Sequence, residues 1–224
     1  MFWLLFAAIF GYVLGSVSFA VLVAKQHGVD ILKAGSGNPG ATNVKRVLGK
    51  GPGNVVFTLD FLKGFISAGW PVATVHFNLL RADAPVLWMG IAGLAGAILG
   101  HSFSMFLKFR GGKGVATTIG GLMALMPLVI LGGLLVWVAV FYLSRYVSLA
   151  SIAMGLVLMP IAALLGEPRE KIGLCFALAI LIIVRHRANL QRLMNGTEHK
   201  FEKKKGPEAT EAPKATDVSE NPKQ

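Results

Sequence analysis

Residues 115–144 read VATTIGGLMALMPLVILGGLLVWVAVFYLS, an apolar run of thirty residues interrupted by a single proline. A hydrocarbon core of ~30 Å takes about twenty apolar helical residues to cross, so the run is long for one span and short for two. Pro127 has no N–H and clashes with the preceding turn, which makes it the natural place for a break. Charge arbitrates. If the run is one helix, the C-terminal tail emerges opposite the first basic loop. If it divides near Pro127, the loops at 25–54, 108–113 and 145–147 fall on the same side as the tail. Together they then carry every lysine and arginine except Lys63, Arg81, Arg169 and Lys171. Because basic loops stay in the cytoplasm, the pattern selects an all-α polytopic membrane protein of about seven transmembrane helices. Its N-terminus lies outside, its C-terminus is cytoplasmic, and at least one half of the 115–144 run is too short to cross fully.

Composition agrees with that class: 54% of the 224 residues are hydrophobic, 15% are charged, and mean hydropathy is +0.63. The other expected spans cover 2–24, 55–75, 85–107, 148–165 and 166–184. Met1 to Ala24 has no basic n-region and no small-residue cleavage site, so it reads as a retained span rather than a signal peptide. Gly11, Gly15, Ser16 and Ser18 give this span a small-residue face for close helix contact. Residues 1–200 read as one membrane-embedded domain. Residues 201–224 form a polar, Pro-rich tail without apolar periodicity, expected to be disordered, with lysines free to meet anionic lipid heads. The net charge of +11 therefore concerns orientation and not nucleic acid, for which no basic groove with interleaved aromatics appears. A single cysteine, Cys175, excludes an internal disulfide.

With the spans placed, four polar stretches gather at the cytoplasmic face: GSGNPGATNVKR (35–46), GHSFSMFLKFRGGKG (100–114), RYVS (145–148) and RHRANLQR (185–192). In the first, Asn38 can cap a helix that starts at Pro39, and Thr42 and Arg46 share a face of it. Free N–H groups at such a start, beside Lys45 and Arg46, suit a small anion. Basic loops alone would satisfy the positive-inside rule, but that rule does not account for the glycines beside the charges. Apart from Asp30 and Asp60 no acidic residue is expected near these stretches, which points to a phosphate-binding site without a metal. Asp60 and Lys63 can pair at i, i+3; Asp60 is expected at the membrane interface, and Lys63 is open between interface and site. His101 and His186 border motifs and are candidates for substrate contact or proton transfer.

Three pattern matches fail on context. Gly35 to Gly40 fits G-x-G-x-x-G but follows a span, not a strand. Gly111 to Gly114 is only a fragment of a P-loop. Asn195-Gly196-Thr197 lies on the cytoplasmic side, where a glycosylation sequon is inert. Two function classes stay open on the residues alone, an enzyme acting on anionic small molecules and a membrane transporter of an organic phosphate.

The chain resembles the membrane-integral, acyl-phosphate-dependent glycerol-3-phosphate acyltransferases of bacteria. The resemblance rests on Gly15-Ser16 with Ala24-Lys25, GSGNPGATNVKRVLGKGPG, Asp60 with Lys63-Gly64, GHSFSMFLKFRGGKGVAT, Arg145 to Leu149 and RHRANLQRLMNGTE, spread over residues 15–198. It implies transfer of a fatty acyl group from acyl phosphate to the 1-hydroxyl of glycerol 3-phosphate, as the first step of phospholipid synthesis in the bacterial inner membrane. It also implies no cofactor, no metal, no nucleic acid and no acyl-CoA or acyl-carrier donor; membrane lipids are the surroundings and a monomer is the working expectation. No His in this chain is followed five residues on by Asp, the box that soluble-donor glycerolipid acyltransferases use. The sequence departs from the family at Pro39, often aliphatic, and at Ala188, commonly Glu.

The candidate site residues are Ser36, Arg46, Lys113, Ser148, His186 and Asn189 for catalysis. Gly37, Asn38, Gly40, Thr42, Asn43, His101, Lys108, Gly111, Gly112 and Gly114 are the candidates for holding phosphate. Ser36 to Arg46 would hold one phosphate and Lys108, Lys113 and the Gly111–Gly114 backbone the other. Ser148, His186 and Asn189 would orient the glycerol or polarise the carbonyl.

Overall fold

A computed structural model describes residues 1–77, 79 and 85–201; most of the expected short connection, Arg81 included, and nearly all of the expected tail lie outside that set. Every regular element in it is helical. The first expected span is broken: α1 (Phe2–Ser16) and α2 (Phe19–Gln26) are separated where Val17 and Ser18 turn extended. α3 (Ala41–Leu48) is short and is followed at once by α4 (Lys50–His76), the longest helix. α5 (Val86–Ser102) leads through a 3-10 turn, Met105–Leu107, to α6 (Val115–Leu125). α7 (Pro127–Ser144), α8 (Val147–Leu164), α9 (Arg169–Arg185) and α10 (Arg187–Met194) complete the order.

The 115–144 run does divide at Pro127, which stands at the first position of α7, where a missing N–H costs nothing. α6 has 11 residues, about 16 Å of helix, half of what a hydrocarbon core requires. Among the described residues four helical stretches are long and apolar enough to cross a membrane: Phe2–Gln26, Lys50–His76, Pro127–Ser144 and Val147–Leu164. α9 and α10, bent by 59° at His186, make a fifth if taken as one span, and α5 and α6 are shorter apolar helices.

Small residues set how closely these helices approach. A Cβ on Gly11 or Gly15 of α1 would run into the backbone of Gly93 or Ala97 of α5, and one on Gly96 or Gly100 into the backbone of α1. α6 lies on α4 in the same way, with Gly64 against the Thr117 carbonyl and Gly120 against the Phe61 carbonyl. Where apolar lipid offers no hydrophobic drive between helices, such backbone contact is what association rests on. The helices between which α6 fits share a buried core that includes Leu94, Leu122, Met126, Ile130, Met154 and Leu158.

Candidate active site

The break in the first span frees main-chain carbonyls inside the bundle, and each needs a partner there. Ser104 Oγ donates to the Ser16 carbonyl at 2.6 Å, and Lys63 Nζ donates to the Val17 carbonyl at 3.1 Å. The 103–114 loop and α4 are thereby tied to the same turn. Lys63 also forms an ion pair with Asp60 at 2.7 Å, the two side chains 1% and 3% exposed, and it lies 2.9 Å from His101 Nδ1. Asp60 is thus buried in the protein and paired, so its carboxylate is not solvated as a residue facing the interface water would be. The i, i+3 pairing was visible within one helix, but the imidazole that completes the group comes from α5.

The first glycine-rich stretch folds differently at its start from the expected cap. The helix begins at Ala41 with Gly40 as N-cap, and no side chain caps it. Asn38 instead offers its main-chain carbonyl to the Gly40 N–H at 2.9 Å, so Pro39 precedes the helix. Asn43, expected to contact phosphate, is 1% exposed and its amide is spent on the loop. Its Oδ1 accepts from the Ser36 N–H, and its Nδ2 donates to the carbonyls of Ala34 and Ile31. Gly35 and Gly37 both have left-handed backbone (φ 59° and 67°), which lets the chain wrap around that amide. Ser36 is exposed, and Thr42 and Arg46 stand on the same face of α3.

The second stretch meets the first at Gly112. A Cβ there would collide with His101 Nε2 and come within 2.9 Å of the Pro39 carbonyl. The Gly112 N–H donates to the His101 carbonyl at 3.0 Å. From α9, Arg185 Nη2 donates to the carbonyls of Gly111 (3.2 Å) and Gly112 (2.9 Å) and its guanidinium stacks over Phe103. Gly114, left-handed at φ 79°, ends the loop as N-cap of α6. Lys113 is carried between these fixed points. Lys108 is not brought in: it is exposed on the far limb of the loop, also left-handed, and makes no hydrogen bond among the described residues.

Lys113 Nζ donates to Asn189 Oδ1 at 2.5 Å. Asn189 Nδ2 in turn donates to Glu198 Oε1 at 2.6 Å, Ser148 Oγ donates to the same oxygen at 2.8 Å, and Arg192 Nε donates to Oε2 at 2.7 Å. Three distant segments, 113, 148 and 189–198, are joined in one chain of hydrogen bonds. Glu198 was not foreseen there, and it corrects the expectation that no acidic residue lies near. The turn at Asn195-Gly196, with Gly196 at φ 68°, folds the chain back so that a carboxylate nine residues after Asn189 returns to its side. The final described residue seals that turn: the Phe201 N–H donates to the Arg145 carbonyl, and the ring packs on Phe141.

Electrostatics at this end are positive. Burial brings the Lys113 ammonium down to about 8; nearby Glu198 opposes this, and Arg192, Arg185 and Arg46 add to it. His186, 3% exposed, is lowered to about 4 by burial and then by Lys113. Its Nδ1 is 2.8 Å from the Ile182 carbonyl, which fixes the proton there and leaves the Nε2 lone pair free. Burial raises the Glu198 carboxyl, but hydrogen bonds from Asn189, Ser148 and Arg192 outweigh it and hold the group below its usual range. No group of three His, Cys, Asp or Glu side chains among the described residues is placed to hold a metal ion. What the arrangement can do is bind an anion between two glycine-lined loops, with Lys113 and Arg46 supplying charge and Ser148, Asn189 and His186 supplying directed polar atoms.

Known proteins are similar to this chain in sequence and in fold. The family model described as glycerol-3-phosphate acyltransferase matches residues 5–196. A glycerol-3-phosphate acyltransferase of Aquifex aeolicus is 46% identical over 197 residues, 88% of this chain and 98% of that protein. One from Halalkalibacterium halodurans is 46% identical over 214 residues, 91% and 97% of the two chains. Among solved structures, the integral membrane glycerol 3-phosphate acyltransferase PlsY in its glycerol 3-phosphate form superposes with a TM-score of 0.78. It is 45% identical, over 89% of this chain and 96% of that one. The lysophosphatidic acid form of PlsY gives a TM-score of 0.76.

Proposed function

The chain belongs to the glycerol-3-phosphate acyltransferase family, and from that premise we propose that it moves a fatty acyl group from acyl phosphate to the 1-hydroxyl of sn-glycerol 3-phosphate. The products are lysophosphatidic acid and inorganic phosphate. The observation that carries this reading is the hydrogen-bonded chain Lys113–Asn189–Glu198–Ser148 beside the contact of Gly112 with Pro39. It joins Lys113 to the 145–148 and 189–198 segments and brings the two glycine-rich loops into contact, with Arg46 near enough to Lys113 to act on its charge. Both substrates carry phosphate, and the acyl carbonyl is already activated by its leaving group, so the protein's task is positioning and charge neutralisation.

The glycerol hydroxyl oxygen attacks the carbonyl carbon, the bond from that carbon to the phosphate oxygen breaks, and phosphate departs with the electron pair. Lys113 and Arg46 neutralise the phosphates. Ser36, Gly37, Asn38, Gly40 and Thr42 line the first loop, with Asn43 acting through its shape. Ser148, Asn189 and His186 orient the hydroxyl and the carbonyl. His186 near 4 is too weak a base to take an alcohol proton efficiently at neutral pH, whereas a phosphate oxygen titrates near ~6. The proton is therefore assigned to a substrate phosphate oxygen. The acyl chain lies along apolar helix surface open to the lipid. This reading has no metal, places the site at the cytoplasmic face of the bacterial inner membrane, and keeps about seven spans with the N-terminus outside.

Replacement of Arg46 or Lys113 by Ala is expected to abolish acyl transfer by purified protein while leaving helicity and membrane insertion intact. Near-normal turnover in either variant would overturn the assignment.

A further inference from the structure

Beneath the Gly111–Gly114 loop lies a buried polar group for which binding of the substrates gives no reason. Asp60 and Lys63 come from α4, the Val17 carbonyl from the break in the first span, and His101 from the last turn of α5. Lys63 reaches all three partners, and its ammonium stands over the Phe19 ring. An ion pair taken out of water and surrounded by small and apolar residues costs more than a packed hydrophobic pair, so it is not explained by stability. Its geometry points upward to the loop. An ammonium has only hydrogens to offer, so Lys63 at 2.9 Å makes His101 Nδ1 the acceptor and leaves the ring proton on Nε2. Nε2 is the atom that bars any side chain at Gly112, and the His101 carbonyl holds the Gly112 N–H. Arg185 holds the same loop through the carbonyls of Gly111 and Gly112.

We propose that Asp60 and Lys63 are positioning residues of the acyltransferase: they fix the tautomer and orientation of His101, and His101 sets the loop that presents Lys113. The Asp60 carboxylate orients the ammonium, the ammonium orients the imidazole, and the imidazole's N–H face defines where Gly112 and hence Lys113 stand. No bond to substrate is made by Asp60 or Lys63. This inference rests on the functional reading above and extends it to a set of residues that reach Lys113 only through the Gly111–Gly114 loop.

The test uses full-length protein and the paired variant Asp60→Leu with Lys63→Met, which removes both charges at similar volume and so preserves packing. Wild type, the pair, Lys113→Arg and the triple variant are compared for thermal unfolding and for acyl transfer from acyl phosphate to labelled glycerol 3-phosphate. The pair is expected to unfold at or above the wild-type temperature yet to lose kcat/KM on the order of tenfold. In the Lys113→Arg background the same pair should cost less than about threefold, because the group being positioned has already been altered. A folded pair with wild-type kcat/KM, or an equal loss in both backgrounds, overturns the proposal. If the pair does not fold, Asp60→Asn carries the same comparison. Nitrogen-15 spectra of His101 in wild type give a readout that a merely structural role would not move: protonation on Nε2 is expected, and a ring protonated on Nδ1 also overturns it. Wild type that makes no lysophosphatidic acid would instead strike the functional reading.

Discussion

Raising the pH should switch off this enzyme far below the range where an ordinary lysine titrates. On the proposed assignment Lys113 supplies the charge that meets the substrate phosphate, and burial has brought it from 10.5 to about 8. With a pKa of about 8, the ammonium fraction falls from roughly nine-tenths at about pH 7 to roughly one-tenth at about pH 9. If the neutral amine cannot hold the phosphate, kcat/KM falls about tenfold over that interval, whereas kcat, measured with phosphate already bound and stabilising the charge, falls less. His186 and Glu198 titrate well below this window, so neither supplies the alkaline limb. The sign for stability is opposite. Because the folded-state value lies below the unfolded one, the unfolded chain binds more protons between about 8 and 10.5. The Lys113 contribution is therefore unfavourable below about pH 8 and is relieved as pH rises through that window. The assay is release of labelled lysophosphatidic acid from about pH 6 to about pH 10, with spontaneous acyl phosphate hydrolysis subtracted, on wild type and Lys113→Arg. The arginine variant, charged throughout, should lack the limb. A wild-type kcat/KM that stays flat to about pH 10, or a limb that survives Lys113→Arg, refutes the reasoning.

Glu198→Ala leaves Asn189 and Ser148 without their shared acceptor and should cost roughly 2–4 kcal/mol of stability, with loss of activity, read by thermal unfolding and turnover. Since the Glu198 carboxyl is held below its usual value, the stabilisation it gives is present above the ordinary carboxylate range and is lost as pH falls through the folded value. Gly112→Ala drives a methyl into the His101 ring and towards the Pro39 carbonyl, so transfer should collapse while far-ultraviolet helicity stays near wild type. Gly120→Ala pushes α6 off the Phe61 carbonyl of α4 and should cost about 1–3 kcal/mol or more, seen as a lower unfolding temperature.

Helices and loops were far more legible than contacts between them. Apolar runs and Pro127 announce most of the helical segments because lipid imposes length and apolarity on each separately, although the break at Val17 and Ser18 inside the first run carries no such sign. The glycine-rich stretches are equally plain, since left-handed backbone at Gly35, Gly37 and Gly114 demands glycine locally. The cap at Gly40 rather than Asn38 was not, because the Pro39 carbonyl lies against Gly112, a residue far along the chain from another loop. The burial of Asp60 is hidden for a similar reason: His101, which stands beside it, comes from another helix, and spacing along α4 does not reveal it. Glu198 ends the RHRANLQRLMNGTE stretch, yet its part depends on the reversal at Gly196 and on Ser148 from another helix. Lys108 and Lys113 look alike in sequence; the left-handed turn at Lys108 and Phe109 sends one to solvent, while Asn189 holds the other.

The central claim is that two glycine-lined loops and Lys113 bring two phosphate-bearing substrates together for acyl transfer. The most direct measurement is mass analysis of products after purified protein in lipid is given acyl phosphate and isotopically labelled glycerol 3-phosphate. Labelled lysophosphatidic acid and inorganic phosphate in equal amounts, with none formed when acyl-CoA replaces acyl phosphate, is the predicted result. Labelled glycerol 3-phosphate recovered without an acyl chain, or acylated as fast from acyl-CoA, would contradict it.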